Sequence, residues 1–579
     1  MSTTTASKLD EQSIGAGRPR YHIAPPRGWI NDPCAPGYDS STGLYHLFYQ
    51  WNPHSHVWND ISWGHATSCD MVHWQHTAEE PVFKPDQPYD QCGIFTGCFH
   101  GRGPSGEKDQ LSVFYTSVNH LPITWSQPYT RGCEGLSLAT STDGGKTWEK
   151  HPDNPLLPEE PEDMHVTGFR DPFIFSWPIM DALRGTSNPA LYGLISGGIH
   201  DLGPRVFLYA INPENTTQWK YLHPLTTDIP VNHQLSRKWT GDLGVNWECT
   251  NLITLRDGEL SRDFLILGSE GGKEREWVDA YISSNPKVPK RVTRYSNWTS
   301  GTLSKTDQGE LRLGITTGGM TDWGILYAAN TFTAPDGRTI LWGWIIEEDL
   351  EDELLAGKGW TGCMGVPREV FLAKQSRVVA GFSSPLQDIS SVEVSDEGTS
   401  GSDLYTLGVR PIIELQNLRN QVLYQHPEGV IRSVTSCLAK APLACEIYAV
   451  ISVSDDTDSI SLVLRHNEDM SIRTLITFRP KEEIIIVERE HSTAQEGVNT
   501  SPEIGSHTLF RHSDQTIEKL QLTVLLDHDV LEVFANDRFA LATRVYTKPE
   551  HTGIALLSKG DAEIEELSIW SLRGIDMAS

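Results

Sequence analysis

Three acids stand where solvation does not account for them. Asp32 lies in "WINDPCAP", Asp171 in "TGFRDPFIF" and Glu248 in "GVNWECTNLI", each among aromatic and apolar residues of a strand-like run. The chain carries 76 acidic residues, most of which must be solvated surface, so placement and not number singles these out. A carboxylate in such surroundings needs hydrogen-bond or cation partners, or its pKa rises. Pro33 and Pro172 are expected to push Asp32 and Asp171 into extended backbone and to withhold the next ladder donor. That ends a strand with its side chain presented into a cavity. Two opposed carboxyl groups are the equipment of glycoside hydrolysis: one attacks the anomeric carbon or activates water, and the other protonates the leaving oxygen. Trp247 is an apolar neighbour suited to raise the pKa of Glu248 as that acid. A third carboxylate can hold sugar hydroxyls through charge-assisted hydrogen bonds. Asp171 reads equally well as an ion-pair partner of Arg170 or a turn cap.

The elements that must bring these acids together are strands. "LYHLFYQW", "LSVFYTSV", "DPFIFSW", "DFLILGS" and "TILWGWII" are short apolar runs bounded by Gly, Pro, Asn and Asp, and capped helices of ten or more residues are scarce. The fold class is therefore all-β. Seventeen of the eighteen tryptophans fall between Trp29 and Trp360, which marks an aromatic-rich first domain followed by a different one. The expected organisation is an N-terminal tail (1–19), a propeller (20–380), a polar, Ser-rich linker (381–403) and a β-sandwich (404–579). "STDGGKTW" (141–148) fits a hairpin common in propeller blades, with Asp143 accepting backbone N–H bonds and Trp148 packing beneath. Asp32 and Asp171 are 139 positions apart, and Asp171 and Glu248 are 77 apart. With about 70 residues per blade, the acids fall at equivalent points of the first, third and fourth blades and meet at the axis.

Composition bounds the partners. A net charge of −29 argues against nucleic acid or anionic lipid, and no apolar run is long enough for a membrane span. Nine cysteines, an odd number without regular spacing, do not form a disulfide framework or a zinc site, so no metal is expected. The first residues show no secretory signal, so a cytoplasmic location is expected and the sequons at Asn215, Asn297 and Asn499 carry no weight.

The segments "WINDP", "YHLFYQWNP", "WGHATSCDMVHW", "IFTG", "FRDPF", "WECTN" and "GWTGCMGVPRE", in that order, resemble glycoside hydrolase family 32, the invertases and fructosyltransferases. The likeness is greatest to its fungal members, and "LEVFAND" and "RVYTKP" extend it through the second domain. The resemblance implies a five-bladed propeller joined to a β-sandwich, acting with retention on β-fructofuranosides without a cofactor. It makes Asp32 the nucleophile, Glu248 the acid/base and Asp171 the transition-state stabiliser. Asn31, Gln50, Trp58, Phe95, Thr96 and Arg170 match positions around the fructose, and Glu270 of "LGSEGG" matches an acid binding the next sugar. "TDWGILYAA" places Asp322 and Tyr327 near the mouth. "LPITWSQPYTRGCEGLSLA" (121–139) is similar to transferases, whereas "WINDP" and "FYQWNP" are invertase-like, so water and sucrose both stand as acceptors. Short fructo-oligosaccharides such as kestose are the implied transfer products. The sandwich is expected to brace the propeller or to pair subunits into a homodimer. Two other readings are an inverting arabinan or xylan hydrolase and a non-catalytic sugar-binding propeller.

Overall fold

The computed structural model describes residues 17–186, 189–227, 229–395, 401–426, 434–575 and 577. Most of the expected N-terminal tail (1–16) and part of the expected linker (396–400) lie outside the described residues. The described chain is nearly all β. None of its helices is long and apolar enough to cross a membrane.

Up to about residue 411 the strands build five sheets in chain order. Their first strands are Gly28–Asp39, Gly93–His100, Val166–Ser176, Asn246–Asp257 and Leu326–Thr333, each hydrogen-bonded to the next strand along the chain. The five first strands touch one another in a closed ring, so side chains at one end of each converge. The ring is tied by a parallel pairing of Trp360–Thr361 with Gly28–Trp29, which joins the chain between the fifth sheet's strands Thr339–Ile345 and Arg368–Gly381 to the start of the first sheet.

Aromatic turns fix the outer strands. In the "STDGGKTW" hairpin Asp143 Oδ1 accepts from the backbone N–H of Lys146 and Thr147, both at 3.0 Å, and the Trp148 indole donates to Gly145 O at 3.1 Å. The same device recurs one sheet earlier, where Asp70 accepts from Val72 and His73 and Trp74 donates to Met71 O. An Asp supplies the acceptors that the turn's N–H groups lack, and a Trp seals the hairpin base.

Two six-stranded sheets follow. Alternate residues such as Ile447, Ala449 and Ile451 on one sheet, and Ile460, Leu462 and Leu464 on the other, face a single apolar cluster, as the two-residue period of strands requires. Tyr295, Met320 and Trp323 of the first region enter that cluster. Gly324 lies so close to the second region that a β-carbon there would sit 1.8 Å from Ala542 O. Buried charge crosses the same seam: Arg368 bridges Asp322 at 2.9 Å and Glu532 at 2.6 Å, and His22 bridges Asp527 at 2.9 Å and Glu532 at 3.0 Å.

Candidate active site

Each first strand breaks register at the same level. The irregularities fall after Ile30, Phe95, Arg170, Glu248 and Tyr327. A bulge re-aims the side chains beside it, and five bulges in a closed ring turn five sets of side chains toward the axis. In the third, fourth and fifth sheets the bulged residues Asp171, Cys249 and Ala328 take positive φ of 62°, 48° and 53°. Two sequence expectations are corrected by this. Asp171 is left-handed, not extended, because the bulge overrides the preference that Pro172 imposes; Asp tolerates that region better than most residues. Glu248 is the register counterpart of Arg170, and Cys249 is the counterpart of Asp171, so the three acids are not at equivalent points.

Asp32 is held by neutral donors. Its carboxylate accepts from Thr96 Oγ1 at 2.6 Å, Asn31 Nδ2 at 3.1 Å and Gln50 Nε2 at 3.3 Å. Asn31 is itself fixed by Trp29, which donates to its Oδ1 at 3.0 Å, and by donating to Gln50 Oε1 at 2.8 Å. Burial, then the nearby Glu248 charge, push the Asp32 pKa up to about 6 against the pull of its donors. Trp58 is 42% exposed and meets Phe95 edge-on at 5.7 Å, so the two form an aromatic wall beside Thr96.

Glu248 is clamped from two sides, accepting from Arg170 Nε at 2.9 Å and from the Tyr327 hydroxyl at 2.7 Å. Asp171 accepts from the backbone N–H of Cys249 at 2.9 Å and from its thiol at 3.6 Å, and the same thiol lies 3.7 Å from Asp32 Oδ2. Burial and the Glu248 charge hold the Asp171 pKa well above the usual range. Arg170 is the cation in direct contact with the acids. It donates to Glu134 at 3.1 Å, to Glu248 and to Glu270 at 3.0 Å, so its charge is spread over three carboxylates and Asp171 is left to its N–H and thiol donors. Glu270, also bonded to Asn246 at 3.0 Å, is pushed up to about 7 by burial and the Glu248 charge.

Eleven of the twelve residues singled out by sequence thus gather at one end of the ring. Asp322 does not. Its carboxylate is fully buried at the seam, bonded to Arg368 and to the backbone N–H of Gly324 and Ala542, because its strand ends against the second region and not in the ring. Three participants had no mark in the sequence reading. Glu134 is fully buried behind Arg170; Cys249 lies between the two aspartates; Arg294 stacks over Tyr327 at 5.8 Å and pairs with Glu348 at 2.8 Å. The only signal available was the placement of Glu134 and Cys249 in apolar strand runs.

The cluster brings together one carboxyl group among neutral donors, a second between a guanidinium and a phenol, and a further buried acid. On the reading that Asp32 attacks as a carboxylate, the acid limb of kcat/KM in a pH–rate profile is expected near pH 6, with a fall of about tenfold per pH unit below it. An acid limb near pH 4 would contradict that environment.

A family model described as glycosyl hydrolases family 32 N-terminal domain matches residues 22–380, and one described as glycosyl hydrolases family 32 C terminal matches residues 414–571. A β-fructofuranosidase from Aspergillus kawachii, solved with glycerol, is 28% identical with a TM-score of 0.83, covering 98% of each chain. A fructosyltransferase from A. japonicus is 26% identical with a TM-score of 0.84, covering 100% of this chain and 99% of that one. An acid β-fructofuranosidase of Solanum lycopersicum is 26% identical over 97% of this chain and 83% of its own length.

Proposed function

The chain belongs to glycosyl hydrolase family 32, a β-fructofuranosidase family, and from that premise we propose that it is a retaining enzyme that cleaves sucrose and passes part of the fructose to a second sucrose. The five sheets are its propeller blades and the two six-stranded sheets its sandwich. Asp32 attacks C2 of the fructosyl unit as Glu248 protonates the glucosyl oxygen; the C2–O bond breaks and glucose leaves. Glu248, now a carboxylate, takes the proton of water or of a sucrose hydroxyl as that oxygen attacks C2 and releases Asp32. Asp171 binds fructosyl hydroxyls and stabilises the transition state.

One observation carries the reading. Asp32 has only neutral donors around it, whereas Glu248 sits between a guanidinium and a phenol, so two neighbouring carboxyl groups live in different surroundings. Such a split suits one to attack and the other to move a proton. A merely sugar-binding propeller has no use for it, and the family match disfavours an inverting arabinan or xylan hydrolase.

The test is product analysis at low and high sucrose. Glucose and fructose should appear in equal amounts at low sucrose, with glucose in excess and three-unit products such as kestose at high sucrose. A ratio of unity at all concentrations would leave hydrolysis standing and remove transfer. No glucose at all would remove both.

A further inference from the structure

In the second sheet a loop, residues 119–133, joins strands Leu111–Val118 and Glu134–Ser141, and the Asn119 N–H shuts its base by donating to Cys133 O at 3.1 Å. Glu134 is the first residue after it. That carboxylate is fully buried, and it accepts from the Arg170 guanidinium at 3.1 Å, the Phe169 backbone N–H at 2.8 Å and the Tyr129 hydroxyl at 3.0 Å. Phe169 and Arg170 belong to the first strand of the third sheet, so Glu134 spans two neighbouring sheets. Tyr129 belongs to the loop. Burial, then the Glu134 charge, raise the Tyr129 pKa, so that hydroxyl keeps its proton and donates. Cys133 and Glu160 are further ionisable groups around this end of the loop, and Glu160 is paired with Arg131 at 3.3 Å.

A guanidinium carries one charge, and three carboxylates divide this one. Glu134 meets Nη1, Glu248 meets Nε and Glu270 meets Nη2. Each carboxylate lessens the hold of that charge on the other two. Arg170 and Glu134 are almost out of contact with water, so solvent does little to blunt the competition. Glu248 is also faced by the Tyr327 hydroxyl, by Asp32, Asp171 and Glu270, by the Cys249 thiol and, over the Tyr327 ring, by Arg294. Those groups stand in the site itself. Glu134 stands on the far side of the guanidinium, where it can alter Glu248 only through Arg170.

We propose that Glu134 is a positioning residue that sets how firmly Glu248 holds its proton, by taking a share of the Arg170 charge, and that Tyr129 couples that share to the 119–133 loop. The inference rests on the reading of Glu248 as the acid/base. On that reading Glu248 must carry a proton when substrate arrives, and it supplies the alkaline limb of kcat/KM.

The experiment is a pH–rate profile of kcat/KM for sucrose, taken with the full chain and three variants. Glu134→Gln keeps the shape and an acceptor oxygen but removes the charge, so Arg170 bears more fully on Glu248. Its alkaline limb should move about one pH unit lower, a loss of about tenfold at pH values above the limb. Tyr129→Phe acts in the opposite sense. Glu134 loses a donor and draws more on Arg170, and the limb should move to higher pH. Glu134→Asp restores the charge and should bring the limb back toward its original place. A residue needed only for packing would lower kcat/KM by one factor at every pH. An unmoved limb or a uniform loss in Glu134→Gln overturns the inference, and an unmoved limb in Tyr129→Phe removes the loop from it. Where Glu134→Gln does not fold, Tyr129→Phe, at a half-buried loop position, decides alone, and an unmoved limb there overturns the whole. If the unsubstituted chain releases no glucose from sucrose, the functional reading falls and this inference with it; sucrose cleavage with an unmoved limb sinks the inference alone.

Discussion

Asp32→Asn should abolish glucose release from sucrose while making the protein more stable at neutral pH. Loss of a nucleophile that works with a proton-transfer partner costs about 10⁴- to 10⁶-fold in kcat. The stability gain follows from the raised pKa. A carboxyl group near pKa 6 in the folded state and 3.8 when unfolded binds more protons folded than unfolded between those values. Stability therefore declines as pH rises from about 4 to about 6, and above 6 the whole cost of burying the ionised Asp32 is present. A shift of that size corresponds to a cost of up to about 3 kcal/mol, part of which an amide recovers and part of which it forfeits in lost acceptor bonds. The expected sign is a higher Tm for Asp32→Asn at pH 7 and a gain that vanishes near pH 4. Wild-type-like turnover would end the nucleophile assignment. A lower Tm at pH 7 would show that the Thr96, Asn31 and Gln50 bonds outweigh desolvation.

Arg368→Ala should have the largest effect on the fold of any single change at the seam, a loss of about 3–5 kcal/mol in denaturant unfolding. Arg368, Asp322 and Glu532 are all fully buried, so removing the cation leaves two carboxylates facing each other without water. Backbone N–H groups of Gly324, Ala542 and Val366 offset part of that, which favours the lower end of the range. His22 offsets more, and its contribution depends on pH. Its two carboxylate partners outweigh burial and raise its pKa to about 9, above the unfolded value of 6.5. Its stabilisation is therefore complete below about pH 6.5 and is lost as pH rises through 9. The Arg368→Ala deficit should widen between pH 7 and pH 9. A loss under about 1 kcal/mol, or a deficit independent of pH, would show that the seam is held by its apolar contacts instead.

How far the site was legible in the sequence depended on whether a residue's neighbours in the chain are also its neighbours in space. Asp32, Asp171 and Glu248 were visible because an acid among strand-forming residues is anomalous wherever the strand goes. Their relative register was not, because the level at which a strand bulges leaves no mark in composition; both strands bulge alike, and Glu248 stands just before its bulge while Asp171 stands in its own. Asp322 was misplaced for a related reason. It sits five residues before Tyr327, yet the chain turns between two sheets there, so one side chain faces the second region and the other faces Glu248. Glu134 and Arg294 act through partners far along the chain, 36 residues away for Glu134 and 54 for Arg294, and no local pattern encodes such a pairing. The all-β class, by contrast, followed from alternation and turn residues, which are local properties.

The parallel pairing that ties Trp360–Thr361 to Gly28–Trp29 also sets an order of events during synthesis. Gly28–Asp39 carries Asp32, yet two of its ring contacts, with Leu326–Thr333 and with residues 360–361, come from chain made some 300 residues later. Non-local closures of this kind are slow because the intervening loop must be ordered before the contact rewards it. The strand bearing Asp32 therefore waits through the synthesis of some 300 residues with one edge uncovered, a surface open to other strands and to chaperones. The groups that bond Asp32, on residues 31, 50 and 96, are made well before the strands that close the ring on it.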